Sequence, residues 1–171
     1  VKKKTIEAKR AQIMADVAES IDIMKRNGAQ LDTLDEITLE KFDDYRSKLS
    51  ITQRKRCAYF ISENERVDEA KKAIMSGKSE ALIDIMNESN KNMKARLEIV
   101  EEESEILLDM LGDTDGVKAA RVMNLGTDGS ILAIVDAEKR KAFESRLKKS
   151  FLGRTGLPLT IETFALTNEM R

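Results

Sequence analysis

Near residue 113 the apolar pattern of the chain changes period, and that change limits the fold more than any other feature. Upstream, apolar side chains recur every three or four positions in a Lys- and Glu-rich background, as on helices buried along one face. Ile6, Ile13, Val17, Ile21 and Met24 mark a helix over residues 5–27 with Gly28 as its stop. A polar connection over 29–36 precedes a short helix at 38–49 and a longer one at 51–76 that ends at Gly77. Ser79 is placed to cap the next helix, which carries Leu82, Ile85, Met86, Met93, Leu97 and Val100, and Ile106, Leu107, Met110 and Leu111 mark a last helical piece before Gly112. Downstream, β-branched and small residues take over. Residues 117–123 and 130–136 are expected as strands, 137–152 as a helix capped by Asp136 and ended at Gly153, and 159–166 as a half-buried alternating strand. The expected fold is α+β in a single domain over 1–171, with a helical part over 5–111 and a strand-loop-strand-helix-strand part over 116–167.

Composition removes much chemistry. The 171 residues include no His and a single Cys57, so the chain alone has no Ser-His-Asp or Cys-His arrangement, no internal disulfide and no ordinary zinc site. No metal ligands and no catalytic residues are assigned. Thirty Lys and Arg against 31 Asp and Glu give a net charge of -1, which offers no electrostatic case for nucleic acid or for an anionic membrane. Nothing resembles a signal peptide or a bilayer-spanning run, so a cytoplasmic location is expected. The chain opens on Val rather than Met, which leaves open a start inside a longer gene product.

Between the two expected strands lies the candidate site, a loop of Met123, Asn124, Leu125, Gly126, Thr127, Asp128, Gly129 and Ser130. It has the composition of a phosphate-holding loop with too little glycine, and by itself it is either a hairpin turn or an altered nucleotide contact. The surrounding strings decide its context. ITLEKFDDY, RKRCAYFISENERVDEA with Arg56, Glu63, Asn64 and Arg66, SGKSEALIDIMNESNKNMK with Gly77, Met86, Glu88 and Ser89, and RTGLPLTIETFAL resemble, in this order, segments of the C-terminal half of galactokinases, in the GHMP kinase superfamily. Asn90 stands where that family has His.

The resemblance implies ferredoxin-like antiparallel strands packed with a helical layer, beside an N-terminal domain that is absent here. In the complete family enzyme ATP, with magnesium, phosphorylates galactose at the anomeric hydroxyl in the cleft between the halves. The family's catalytic Asp and Arg, its sugar signature and its phosphate loop lie in the N-terminal half, so the resemblance implies no catalysis and no cofactor for this chain alone.

The loop departs from the family's third motif, Met-Thr-Gly-Gly-Gly-Phe-Gly-Gly-Cys. In ungapped alignment only Gly126 and Gly129 keep family glycines, and Leu125 is poorly suited to the left-handed backbone that glycine allows. Asp128 would place a carboxylate near a polyphosphate. Ile6 falls where a family Tyr approaches the sugar, while Lys9 and Arg10 keep a basic pair. Three readings follow: a C-terminal part of a galactokinase-like kinase, a stand-alone binding or regulatory relative without catalysis, and a kinase of another small substrate. Residues 1–3 resemble the frayed end of a sheet strand, so a vacant sheet edge is expected to take a partner, either an N-terminal kinase half or a second copy.

Overall fold

The computed structural model describes residues 2–126 and 129–164. Six α-helices and two strands appear among them: α1 (Lys2–Arg26), α2 (Leu39–Asp43), α3 (Ile51–Met75), α4 (Ser79–Leu97), α5 (Glu102–Gly112), β1 (Val117–Val122), β2 (Ile131–Val135) and α6 (Ala137–Thr155). The fold is α+β.

Helix α1 buries Ile6, Ile13, Val17 and Met24, the stripe that helical spacing predicts, and Gly28 takes a positive φ of 97° past its end. Its second half packs on the start of α3 in one apolar cluster that includes Leu31, Leu34, Phe42, Cys57 and Ile61. Ser50 begins α3 by accepting from the Gln53 N–H at 3.2 Å, and the Gln53 carboxamide oxygen accepts the Ser50 N–H at 2.9 Å. A second cluster joins Ile6 and Ile13 of α1 to Tyr59, Met93, Leu97, Leu108 and Val122. The third lies between α5 and α6, with Phe143, Leu147 and Phe151 meeting Leu107, Met110 and Leu111. Strands β1 and β2 pair antiparallel, Val122 opposite Ile131 and Arg121 opposite Leu132, with an irregularity between Val117 and Ala119. At the base of this hairpin Gly116 has φ 92°, and a β-carbon there would lie 2.8 Å from that of Lys139.

The structure departs from the sequence expectations at several elements. Lys2 and Lys3 belong to α1 rather than to a strand, because a run of straight-chain residues without Gly or Pro continues the helix toward the N-terminus; Val1 lies outside the described residues. Helix α4 starts at Ser79 with Lys78 as its cap residue and no capping side chain. Asp136 occupies the cap position of α6 without a side-chain capping bond, and its carboxylate lies 3.5 Å from the Lys118 ammonium instead. Gly153 is helical, and α6 stops only at Gly156, where φ is 72°.

The third strand is the largest difference. Residues 159–164 form no ladder, and 165–166 lie outside the described residues, so the sheet has two strands among those described. The expected alternation is nevertheless present: Leu159 and Ile161 are half-buried against the α5–α6 cluster while Thr160 and Glu162 are exposed. Alternation specifies which side chains face a core; it does not supply the neighbouring backbone that makes a strand.

Candidate functional site

The loop between β1 and β2 closes where the Met123 N–H donates to the Ser130 carbonyl at 2.9 Å. Asn124, Leu125 and Gly126 form a short 3-10 turn in which Asn124 has φ 47° and Leu125 φ 52° and ψ 32°. Gly129 has φ 68°. Thr127 and Asp128 lie outside the described residues. Leu125 therefore adopts the left-handed conformation for which its side chain is poorly suited, at a cost of about 1–2 kcal/mol. The compensation is visible in the packing, since its half-buried side chain turns into the cluster of Ile6, Tyr59, Met93 and Val122. Burying about half of a leucine contributes roughly 1–1.5 kcal/mol, enough to offset most of that strain.

Ile6, the other candidate position, is 7% exposed in the same cluster. The structure thus brings Ile6 and Leu125 together as core residues. Isoleucine offers neither donor nor acceptor to a sugar hydroxyl. Lys9 and Arg10 are exposed on α1.

The loop offers a polyphosphate no side-chain cation of its own. No Lys or Arg occurs in residues 123–130, and one Asp does. The cation just before the loop, Arg121, is already engaged, with its guanidinium 3.4 Å from the Glu63 carboxylate. Among the described residues no group of three or more Asp, Glu or Cys side chains converges as metal ligands.

Glu63 is the centre of the most developed polar cluster. Its carboxylate lies 2.7 Å from the Arg66 guanidinium one turn along α3, accepts the Ser89 hydroxyl of α4 at 2.7 Å and meets Arg121 of β1. Ser89 is 1% exposed. Arg121 Nε is buried without a hydrogen-bond partner among the described residues. Tyr59 lies beside the cluster, and burial, reinforced by the Glu63 charge, pushes its hydroxyl up to about 12. Burial also pushes the Cys57 thiol up, partly opposed by a hydrogen bond with Ser20, so this cysteine is not activated. Elsewhere Arg56 pairs with Asp16 and donates to the Gln12 carbonyl at 3.2 Å, tying α3 to α1.

Two asparagines of α4 close the outer side of β1. Asn90 Oδ1 accepts the Val122 N–H at 3.4 Å and Asn87 Nδ2 donates to the Lys118 carbonyl at 3.3 Å.

No protein-family model matches the chain. Curated proteins do. A galactokinase of Ligilactobacillus salivarius (strain UCC118) is 30% identical over 131 residues, covering 75% of this chain and 34% of that protein. One from Clostridium perfringens (strain SM101 / Type A) is 24% identical over 151 residues, covering 88% of this chain and 39% of its own length. Among solved structures, Lactococcus lactis galactokinase complexed with galactose superposes with a TM-score of 0.78 and 24% identity over 88% of this chain and 39% of that one. The chain is related to the C-terminal part of galactokinases. It spans 39% and 34% of the length of these two relatives.

The residues that carry the galactokinase resemblance fall mainly into packing positions. Glu63, Arg66 and Ser89 meet in one cluster, Met86 is buried, Gly77 supplies the turn after α3 with φ 67°, and Asn64 and Glu88 are exposed. Arg121 and Asn87 were not among the candidates. For Arg121 the signal is a second charge, after Lys118, in a six-residue strand whose other residues are small and apolar, where a half-buried charge needs a partner. Asn87 carried no comparable signal.

Proposed function

We propose that the chain is the C-terminal region, a single domain, of a galactokinase-like sugar kinase, and that it does not catalyse phosphoryl transfer by itself. In the complete enzyme ATP, with magnesium, would phosphorylate galactose at the anomeric hydroxyl in the cytoplasm, with the catalytic groups supplied by an N-terminal half. The observation that carries this reading is the match to galactokinases over most of this chain and only about a third of theirs. Phosphoryl transfer rests on groups placed around the phosphates, and a chain without them lacks the chemistry.

A coupled galactokinase assay on the purified chain should give no turnover above buffer, and calorimetric titration with Mg-ATP should show nothing tighter than about 1 mM, or roughly 4 kcal/mol. Turnover that co-purifies with the chain, or micromolar ATP affinity, would overturn it. A second reading, a stand-alone binding or regulatory relative, is favoured by the burial of Ile6 and Leu125 at the positions expected to meet ligand. An in-frame kinase half upstream of Val1 supports the first reading, and a nearby start codon the second. Either reading leaves the chain with a partner, an N-terminal kinase half or another copy of itself.

A further inference from the structure

Asn27 and Gly28 close α1, and their chemistry is separate from anything the chain binds or phosphorylates. Of the seven asparagines only Asn27 is followed by glycine. Both residues are exposed, and a β-carbon at Gly28, where φ is 97°, would meet no heavy atom within 4 Å among the described residues. A backbone nitrogen can attack the side-chain carbonyl carbon of a preceding asparagine when its approach is unhindered, and glycine, without a β-carbon, hinders it least. The other described asparagines lack that freedom. Asn64 lies inside α3, and Asn87, Asn90 and Asn92 lie inside α4, where the helical ladder holds the following N–H groups and turns them away from the side chain. Asn124 is followed by Leu125, whose half-buried side chain packs into the core.

We infer that Asn27 is a site of spontaneous deamidation. The Gly28 nitrogen attacks Asn27 Cγ; a C–N bond forms, the Cγ–Nδ2 bond breaks, and the Gly28 proton leaves with Nδ2 as ammonia. Water then opens the cyclic imide at either carbonyl. Opening at one gives aspartate, and opening at the other gives isoaspartate, in which the main chain is longer by a methylene.

The fold controls the rate. Asn27 Nδ2 donates to the Ile23 carbonyl at 2.8 Å, the Gly28 N–H donates to the Lys25 carbonyl at 3.1 Å, and the Ala29 N–H donates to the Met24 carbonyl at 3.0 Å. The last two are the paired bonds by which a helix ends on a left-handed glycine. While they hold, both the attacking nitrogen and the departing one are engaged, so conversion waits for the turn to open. Conversion in turn weakens the closed state. Either product carries a carboxylate at 27, which cannot donate to the Ile23 carbonyl and sits at the negative end of α1. Isoaspartate also lengthens the chain between Met24 and Ala29, whose hydrogen bond depends on the native spacing. Met24 and Leu31, on either side of this turn, belong to the cluster that joins α1 to α3, so one exposed amide is coupled to the core.

The test is incubation of the 171-residue chain in mildly alkaline buffer, folded and in urea, with peptide mapping by mass spectrometry. In the folded chain Asn27 should convert before every other asparagine, giving separate aspartate and isoaspartate peptides, and urea should speed the conversion by about tenfold or more. Asn27→Gln, whose ring would be larger and closes far more slowly, should show no conversion at position 27. In the converted chain the Ala29 amide should exchange its hydrogen faster than in the unconverted one. Conversion of another asparagine first in the folded chain, or conversion at position 27 that persists in Asn27→Gln, overturns the site. Equal rates with and without urea overturn control by the turn, and an unchanged Ala29 exchange rate in the isoaspartate form overturns the coupling to the helix end.

Discussion

Removing the Glu63 charge should destabilise the protein far more than removing one of the arginines it holds. The Glu63, Arg66 and Arg121 side chains are 16%, 14% and 28% exposed, so the cluster is only partly screened by water. Glu63→Gln keeps the side-chain volume but leaves two guanidinium groups together without a counter-charge and weakens the two 2.7 Å contacts, to Arg66 and Ser89. At about 1.5 kcal/mol for each charge-assisted bond, the loss is about 3 kcal/mol, within the range for breaking a buried ion pair from one side. For a chain of this length that lowers the thermal midpoint by roughly 6–12 °C. Arg121→Met keeps the aliphatic stem, removes an Nε that has no partner among the described residues, and leaves Glu63 with Arg66 and Ser89. Its cost should stay below about 1 kcal/mol, because the carboxylate remains paired. Urea denaturation followed by circular dichroism measures both variants on one scale. Equal losses, or a larger loss for Arg121→Met, would refute the assignment of Glu63 as the centre of the cluster.

Two further outcomes follow from the same core. Leu125→Gly should be more stable than Leu125→Ala by about 0.5–1 kcal/mol, since both lose the packed side chain but only glycine is relieved of the left-handed strain; the ordinary helical order, alanine above glycine, would show that residue 125 does not hold φ near 52° in solution. Tyr59 holds its proton to about 12 in the folded state against an ordinary value of 10.0, so its contribution is fully present below pH 10 and is lost as pH rises from 10 to 12, by a few kcal/mol at most. Chemical denaturation in that window should show a steeper alkaline loss for the wild type than for Tyr59→Phe, and parallel curves would contradict the burial of the hydroxyl.

Much of the fold is legible in the sequence because helical burial has a period that a single chain displays. Ile13, Val17 and Met24 announce their helix without reference to anything distant, as do Phe143, Leu147 and Phe151. The errors fall where a partner decides. Asp136 has the right residue type for a cap, yet Lys118 competes for its carboxylate from a neighbouring strand. Leu159 and Ile161 alternate as a strand would, but alternation cannot tell a chain laid against a core from one bonded into a sheet. At the site, the position of the loop and its shortage of glycine could be read directly. That Leu125 would accept the left-handed backbone could not, because the compensating contacts come from α1, α3 and α4.

Likeness and departure in this chain fall on physically different residues. Glu63, Arg66 and Ser89, which match galactokinase strings, join α3 to α4 and, through Arg121, to β1, so they fix the strand that leads into the loop. Ile6 and Leu125, where the resemblance breaks down, lie in one core cluster at its far end. A clamp of that kind constrains the course of the backbone and is indifferent to what the loop beyond it binds. Substitution in the loop can therefore exchange backbone flexibility for packed leucine while β1 stays in register, whereas loss of Glu63 would weaken the junction of α3 with α4 and β1 together. For the same reason the superposition on a galactokinase is informative about fold over most of the chain and says least about ligands at the loop, where the side chains differ in kind.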